Sequence, residues 1–447
     1  MRVPEKPPPF DQLLVELFSP SRDAARAFDR LLAIREPAPG GRYVHWDKLR
    51  HLAPPEGFSR REWWAGIKLA RSTLLREIPL RDQEGRPFKY GMADPVLEAV
   101  HLVEREVSGQ AGVPPAIESP ETRDRYLVSS LTEEAITSSM LEGAATTREI
   151  AKEMIRSGRP PRDRGERMVL NNYRAMEDLR GLREGPLTPE RVLDLQRRMT
   201  EGILDEGSGS GRFRRGDEEV VVADEEGTVL HRPPDAGELP DRVRRLCDFA
   251  NGLPESRFVH PVVRAILLHF WLAFEHPFVD GNGRTARALF YWSMLRSGYR
   301  LCEFVSISSV VRRAPSRYAR SFLYAETDDN DVTYFLLEQL RVIRMAFRQL
   351  NEYLERKATE LRSLERLLRR SDRFNHRQLA LLSHALRYPE REFTFRSHRA
   401  SHNVTYQTAR TDLLDLAKVG LLLRGKVGKR FVFRAPPNLD RRLRTAQ

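Results

Sequence analysis

The stretch that decides the reading is HPFVDGNGRTAR, residues 276–287, lying between an apolar run that ends at Phe274 and a second apolar run from Ala288 to Leu295. Gly281 and Gly283 remove side chains where a loop turns into a helix. Backbone N–H groups and the positive helix end there can hold phosphate oxygens. Arg284 and Arg287 stand three apart at the start of that helix, on nearly one face, where two guanidinium forks can grip neighbouring phosphates of a polyphosphate. Asp280 supplies a hard oxygen ligand suited to Mg2+. His276, just before the loop, is a base able to take a proton from an attacking hydroxyl near neutral pH. The chemistry drawn is attack on a phosphoryl group, catalysed by positioning and charge neutralisation.

These twelve residues resemble, with no departure, the signature of the Fic (Fido) family, His-x-Phe-x-Asp/Glu-Gly-Asn-Gly-x-x-x-Arg with Arg directly after the second Gly. The looser resemblance runs from about Tyr126 to Ile343. It implies a mainly α-helical core that transfers AMP from ATP, with Mg2+, to a Ser, Thr or Tyr hydroxyl of a protein target or of the chain itself. On that resemblance His276 is the general base, Phe278 a buried loop anchor and Asp280 the Mg2+ ligand. Gly281, Asn282 and Gly283 hold the α-phosphate, Arg284 the β-phosphate and Arg287 the γ-phosphate. The run EEVVVADEEGTVLHRPP is a hairpin signal. The resemblance makes residues 217–232 a flap whose edge, with Val220, Val221, Val222 and Val229, aligns a target segment by adding a strand. Upstream, Ser138, Glu142 and Gly143 match the family's inhibitory pattern at the end of a helix over about 122–143. A carboxylate there can pair with Arg287 in place of the γ-phosphate. The same residues serve removal of AMP in some members, and a nucleotide-sensing core attached to a DNA-binding regulator is the competing reading.

The surroundings fix the organisation. With 447 residues the chain has room for two to four domains. Residues 1–110 read as a helical region, with helical stretches over 10–36 and a Trp-rich portion. Residues 111–350 form the core, 351–370 a helical linker and 371–447 a winged helix-turn-helix. Apolar residues three or four apart from Leu336 to Leu368 describe one long helix or two end to end, joining domains or forming a homodimer. The C-terminal order is helix, short strand, helix, helix, hairpin. From residue 391 to 447 there are 13 basic and 4 acidic residues, which is nine of the chain's twelve net positive charges. This points to an anionic partner, and two readings stand: duplex DNA, met by Thr405, Tyr406, Gln407 and Arg410 on the recognition helix and by Lys426, Lys429 and Arg430 on the wing, or a protein docked on the winged helix.

Two cysteines, Cys247 and Cys302, are too few for a disulfide framework and read as buried small hydrophobes. No apolar leader opens the chain and no run reaches the roughly 20 apolar residues of a membrane span, so the expectation is a cytoplasmic protein with no membrane partner. His231, His260 and His269 read as structural or surface residues.

Overall fold

The computed structural model describes every residue except 1, 19–23, 108–119, 183, 205–208, 225, 254–257, 370–372, 428–429 and 446–447. The chain divides into two compact units, Met1–Ala111 with Ser129–Phe347, and Gly112–Val128 with Arg348–Gln447. Helices dominate. The described strands form three separate two-stranded antiparallel hairpins, and no helix among the described residues is long and apolar enough to cross a membrane.

The first unit opens with α1 (Phe10–Leu17), α2 (Ala24–Ala33), α3 (Trp46–Leu49) and α4 (Arg60–Ser72). The expected helical stretch over 10–36 is thus two helices. Ser59 and Glu62 cap α4 reciprocally, satisfying N–H groups that its first turn leaves unpaired. Leu13, Leu49, Trp64 and Ile67 form a local core. A hairpin follows, β1 (Leu75–Arg81) with β2 (Pro87–Gly91), where sequence reading had only a turn signal. Pro79 and the DQEGRPF turn mask its alternation. Buried polar bonds fasten this layer to the rest of the unit. Lys68 Nζ donates to Asp328 Oδ1 at 2.7 Å, and Arg71 donates to the Pro37 and Val44 carbonyls and to Tyr334 Oη.

After α5 (Asp94–Val107) come α6 (Pro120–Leu141), of which the portion from Ser129 belongs to this unit, then α7 (Arg148–Ser157), α8 (Arg164–Leu182) and α9 (Pro189–Thr200). The hairpin β3 (Val222–Ala223)–β4 (Val229–His231) precedes α10 (Leu239–Ala250). At the centre lie α11 (Pro261–Glu275) and α12 (Asn282–Arg296), followed by α13 (Ile307–Val311), α14 (Pro315–Thr327) and α15 (Thr333–Arg369), of which the portion up to Phe347 belongs to this unit. The sequence of α11, PVVRAILLHFWLAFE, is apolar on nearly every face, and a helix of that kind has to be wrapped. Ile266, Leu267, Leu268, Phe270 and Leu289 are fully buried, each worth about 1.5–3 kcal/mol of apolar burial. This central pair holds the functional loop between its two helices. Cys247 and Cys302 are buried and unpaired.

The second unit contains α16 (His376–Arg387), α17 (Phe395–His402), α18 (Tyr406–Lys418), the hairpin β5 (Leu423–Val427)–β6 (Arg430–Arg434) and α19 (Leu439–Thr445). The expected short strand near 393 is a single bridge, with Phe393 and Phe433 exchanging backbone bonds of 2.8 Å. Leu382, Leu413, Leu416, Leu421 and Phe433 make its core. Asn403 adopts φ 49° between α17 and α18, the left-handed geometry that Asn tolerates in a tight turn. Thr405 caps α18 by accepting from the Thr408 N–H.

Candidate active site

The loop is built by two helix ends. α11 stops because His276 turns left-handed, φ 44°, while its N–H still reaches the Leu272 carbonyl at 3.0 Å. α12 starts at Asn282 after Gly281, whose φ of 88° suits glycine. Between them Asn282 staples the turn. Its Nδ2 donates to the Phe278 carbonyl at 2.7 Å and its Oδ1 accepts from the Phe278 N–H at 2.9 Å. The Asn282 side chain is thus spent on the loop itself, and what α12 presents outward is backbone. Phe278 is fully buried and stacks on Phe213 with ring centroids 6.1 Å apart.

Two further residues brace the loop from other segments. Gln196 of α9 donates to the Asp280 carbonyl at 2.9 Å and accepts from the Gly211 N–H at 2.6 Å. Arg214 donates through Nε to the His276 carbonyl at 3.0 Å and through Nη2 to the Pro234 carbonyl, while its own N–H reaches the Pro277 carbonyl at 2.9 Å. Neither residue carries a motif that sequence reading could use. Asp280 Oδ1 accepts from the Gly281 N–H at 2.5 Å and from Arg284 Nη2 at 2.9 Å, and its Oδ2 accepts from the exposed Arg164 at 3.2 Å.

The two arginines of the motif part company. Arg284 is buried, with Nη1 on the Met199 carbonyl at 2.8 Å, Nη2 on Asp280, and an Nε that has no partner. Arg287 points toward α6. Its Nε donates to Ser138 Oγ at 2.9 Å, and its Nη2 donates to the Ser138 carbonyl at 3.1 Å and to Glu142 Oε1 at 2.9 Å. Gly143, φ 85°, ends that turn. The Glu142 carboxylate lies directly on Gly283, where a Cβ would come within 2.1 Å of Oε1. A glycine is therefore what lets the carboxylate reach the start of α12.

His276, Gly283, Arg287 and Glu142 open on one cavity of about 400 Å3. Val221, Val222, Ala223, Leu230 and His231 of the hairpin region line it too, as do Tyr318 and Phe322 of α14. Val222 pairs with His231 and Ala223 with Val229, whereas Val220 and Val221 precede the strand. Val229 is exposed and Val222 half-buried. Arg284 and Asp280 are not part of the cavity wall.

Electrostatics suits a proton acceptor in this cavity. Burial pushes the His276 imidazole down to about 4, aided by the positive neighbours His231 and Arg214 and opposed by the bond to the Ala273 carbonyl and by Glu142. The ring is thus neutral near pH 7 with a nitrogen lone pair available. Burial works against the Arg287 charge, but Glu142, Tyr318 and Glu134 together outweigh it and hold the guanidinium above its ordinary range. Among the described residues no group of three or more His, Cys, Asp and Glu could hold a metal by itself. A single carboxylate at the loop, Asp280, does fit Mg2+, which takes one or two carboxylates and fills its remaining positions with water and phosphate oxygens. The basic residues of the second unit stand apart from this chemistry. Thr405, Tyr406, Gln407, Arg410, Lys426 and Arg430 are exposed on α18 and the β5–β6 hairpin, and Lys429 lies outside the described residues.

A histidine at one helix end, a glycine turn opening the next and an arginine one turn in, with a hairpin on the same cavity, are the arrangement that the resemblance to the Fic signature implies. Residues 186–294 match the model of the Fic/DOC family. The chain's relatives include the protein adenylyltransferase Fic of Drosophila willistoni, 39% identical over 113 residues, which is 25% of this chain and 20% of that protein. The protein adenylyltransferase Fic of Drosophila melanogaster is likewise 39% identical over 113 residues, 25% of this chain and 21% of that one. The chain spans about a fifth of the length of these curated relatives. Among solved structures it is similar to a Fic family protein from Desulfovibrio desulfuricans, with a TM-score of 0.53 and 20% identity over 78% of this chain and 98% of that one. That likeness is one of fold.

Proposed function

We propose that this protein transfers AMP from ATP to a Ser, Thr or Tyr hydroxyl of a protein, and that Glu142 restrains it. The observation that carries the reading is that His276, the amide end of α12 at Gly283, and Arg287 open on the same cavity as the hairpin. The triphosphate runs along the start of α12, where unpaired N–H groups and the helix dipole favour negative charge. The hairpin edge lays an acceptor segment across the cavity by strand addition. His276 takes the hydroxyl proton, the hydroxyl oxygen bonds to the α-phosphorus, and the bond to the bridging oxygen breaks with pyrophosphate leaving. Asp280 is the residue that would hold Mg2+, which when bound supplies charge neutralisation to the phosphates. In the arrangement seen, Glu142 stands on Gly283 and claims Arg287, the place taken by the terminal phosphate in a productive complex. Arg284 braces Asp280, and a role on the β-phosphate requires it to exchange that partner.

The test is intact-mass and peptide mass spectrometry after incubation with MgATP of wild type, Glu142→Gly and Glu142→Gly with His276→Ala. A mass gain of AMP on the protein or on added acceptor, lost with His276, is the expected result. No gain in either His276-containing protein overturns the reading.

For the second unit we propose duplex DNA as partner, with α18 as recognition helix and β5–β6 as wing. The supporting observation is that the polar side chains of the first turns of α18 and the basic residues of the hairpin are solvent-exposed, along with Arg396 and Arg399 of α17. Binding to duplex DNA should weaken steeply with salt; no binding at low salt refutes it.

A further inference from the structure

His231 ends β4 and sits in the cavity wall, and both nitrogens of its ring face atoms that only accept. Nδ1 is 2.8 Å from Glu326 Oε2 on α14, and Nε2 is 2.7 Å from the Phe274 carbonyl in the last turn of α11. A neutral imidazole carries one N–H, so it can serve one of these oxygens and must turn a lone pair toward the other. Only the doubly protonated ring donates to both. The ring also packs on Phe274, with centroids 4.8 Å apart, and its strand neighbour is Val222.

We infer that His231 is held as an imidazolium and acts as a clamp, fastening the β3–β4 hairpin to α14 and α11 so that the seat of the hairpin on the cavity depends on one proton. His231 touches no reacting atom in this scheme. It is a positioning residue, and its effect on catalysis rests on the AMP-transfer reading.

The charged and titratable groups around the ring favour this state. Glu326 faces it from α14 and Glu275 from the end of α11, both raising it, and His276 lies next to Glu275. Burial alone lowers an imidazole, but the bond to Glu326, its charge, the Phe274 carbonyl and Glu275 outweigh burial and raise His231 above the ordinary histidine value. The sign follows. The clamp is complete below that raised value and is lost as pH rises through it. The same positive charge helps keep His276 unprotonated, so two histidines of one cavity are driven in opposite directions.

The deciding measurement is ring-nitrogen NMR on the full chain with 15N-labelled histidine, His231→Gln identifying the His231 signals. Both nitrogens of His231 should carry protons at pH 7, with release above the ordinary value of about 6.5. Glu326→Gln supplies a donor to Nδ1 and should lower the midpoint by about one pH unit or more. Amide exchange of 222–223 and 229–231 at one fixed pH should be about tenfold faster in His231→Gln. A ring with one proton at pH 7, a midpoint unmoved by Glu326→Gln, or unchanged exchange overturns the clamp. None of these readings uses nucleotide, so failure of AMP transfer and failure of the clamp are separate results. Where transfer occurs, His231→Gln should raise KM for the protein acceptor about tenfold and change KM for ATP little.

Discussion

Replacing Glu142 by Gly removes the carboxylate from Arg287, and the structure sets the scale. The guanidinium is 3% and the carboxylate 25% exposed, with an N–O distance of 2.9 Å. At an effective dielectric constant of about 20, two charges about 4 Å apart attract by about 4 kcal/mol. The partial exposure of Glu142 and the entropy of its side chain reduce this, leaving about 3 kcal/mol. At 1.36 kcal/mol per decade that is about two powers of ten, so the fraction of molecules with Arg287 free for phosphate is about one per cent. Glu142→Gly should therefore raise AMP incorporation about a hundredfold at saturating MgATP, followed by mass spectrometry against time. Glu142→Gln keeps the length and drops the charge, and about tenfold is expected. A Glu142→Gly rate within threefold of wild type, in a protein that binds ATP, would refute the argument that this contact limits the reaction.

Other expectations follow from the same geometry. Because His276 is pushed down to about 4 and Glu142 is one of the groups that raise it, the acid limb of kcat/KM in Glu142→Gly should fall at about pH 4 or below rather than near the ordinary 6.5. Gly283→Ala puts a Cβ within 2.1 Å of Glu142 Oε1 and 3.0 Å of Arg287 Nη1. The flexible carboxylate swings away, yet the methyl fills the phosphate path, so the variant should gain no activity and should lose the thermal shift that ATP gives Glu142→Gly. In the second unit, Lys426→Ala and Arg430→Ala should each reduce the log–log salt slope of DNA binding by about one without changing sequence preference.

The loop was legible in sequence because its chemistry is local. Histidine, glycines and arginines stand within twelve residues, and the structure brings His276, Gly283 and Arg287 to one cavity while Ser138 of α6 and Glu142 just after it come to Arg287. What stayed hidden was the support. Arg214 lies 62 residues before His276 in the chain, and only tertiary packing tells that its guanidinium holds that carbonyl. His231 likewise read as an ordinary structural or surface histidine, since a lone ring in a strand gives no sign of two acceptors converging on it. Asn282 was assigned to phosphate from its place in the motif, but its amide fits the Phe278 backbone on both sides. The hairpin β1–β2 escaped because a proline interrupts its alternation, and the short strand near 393 shrank to one bridge because no second residue of that segment finds a partner on β6.

The two bonds from Asn282 to the Phe278 backbone close a small ring across the turn. A turn tied in this way arrives already shaped, and its guest meets little conformational entropy still to be lost. On the proposed function, affinity at such a seat is decided by which anion occupies it, the carboxylate of Glu142 that lies there in this structure or a phosphate from outside.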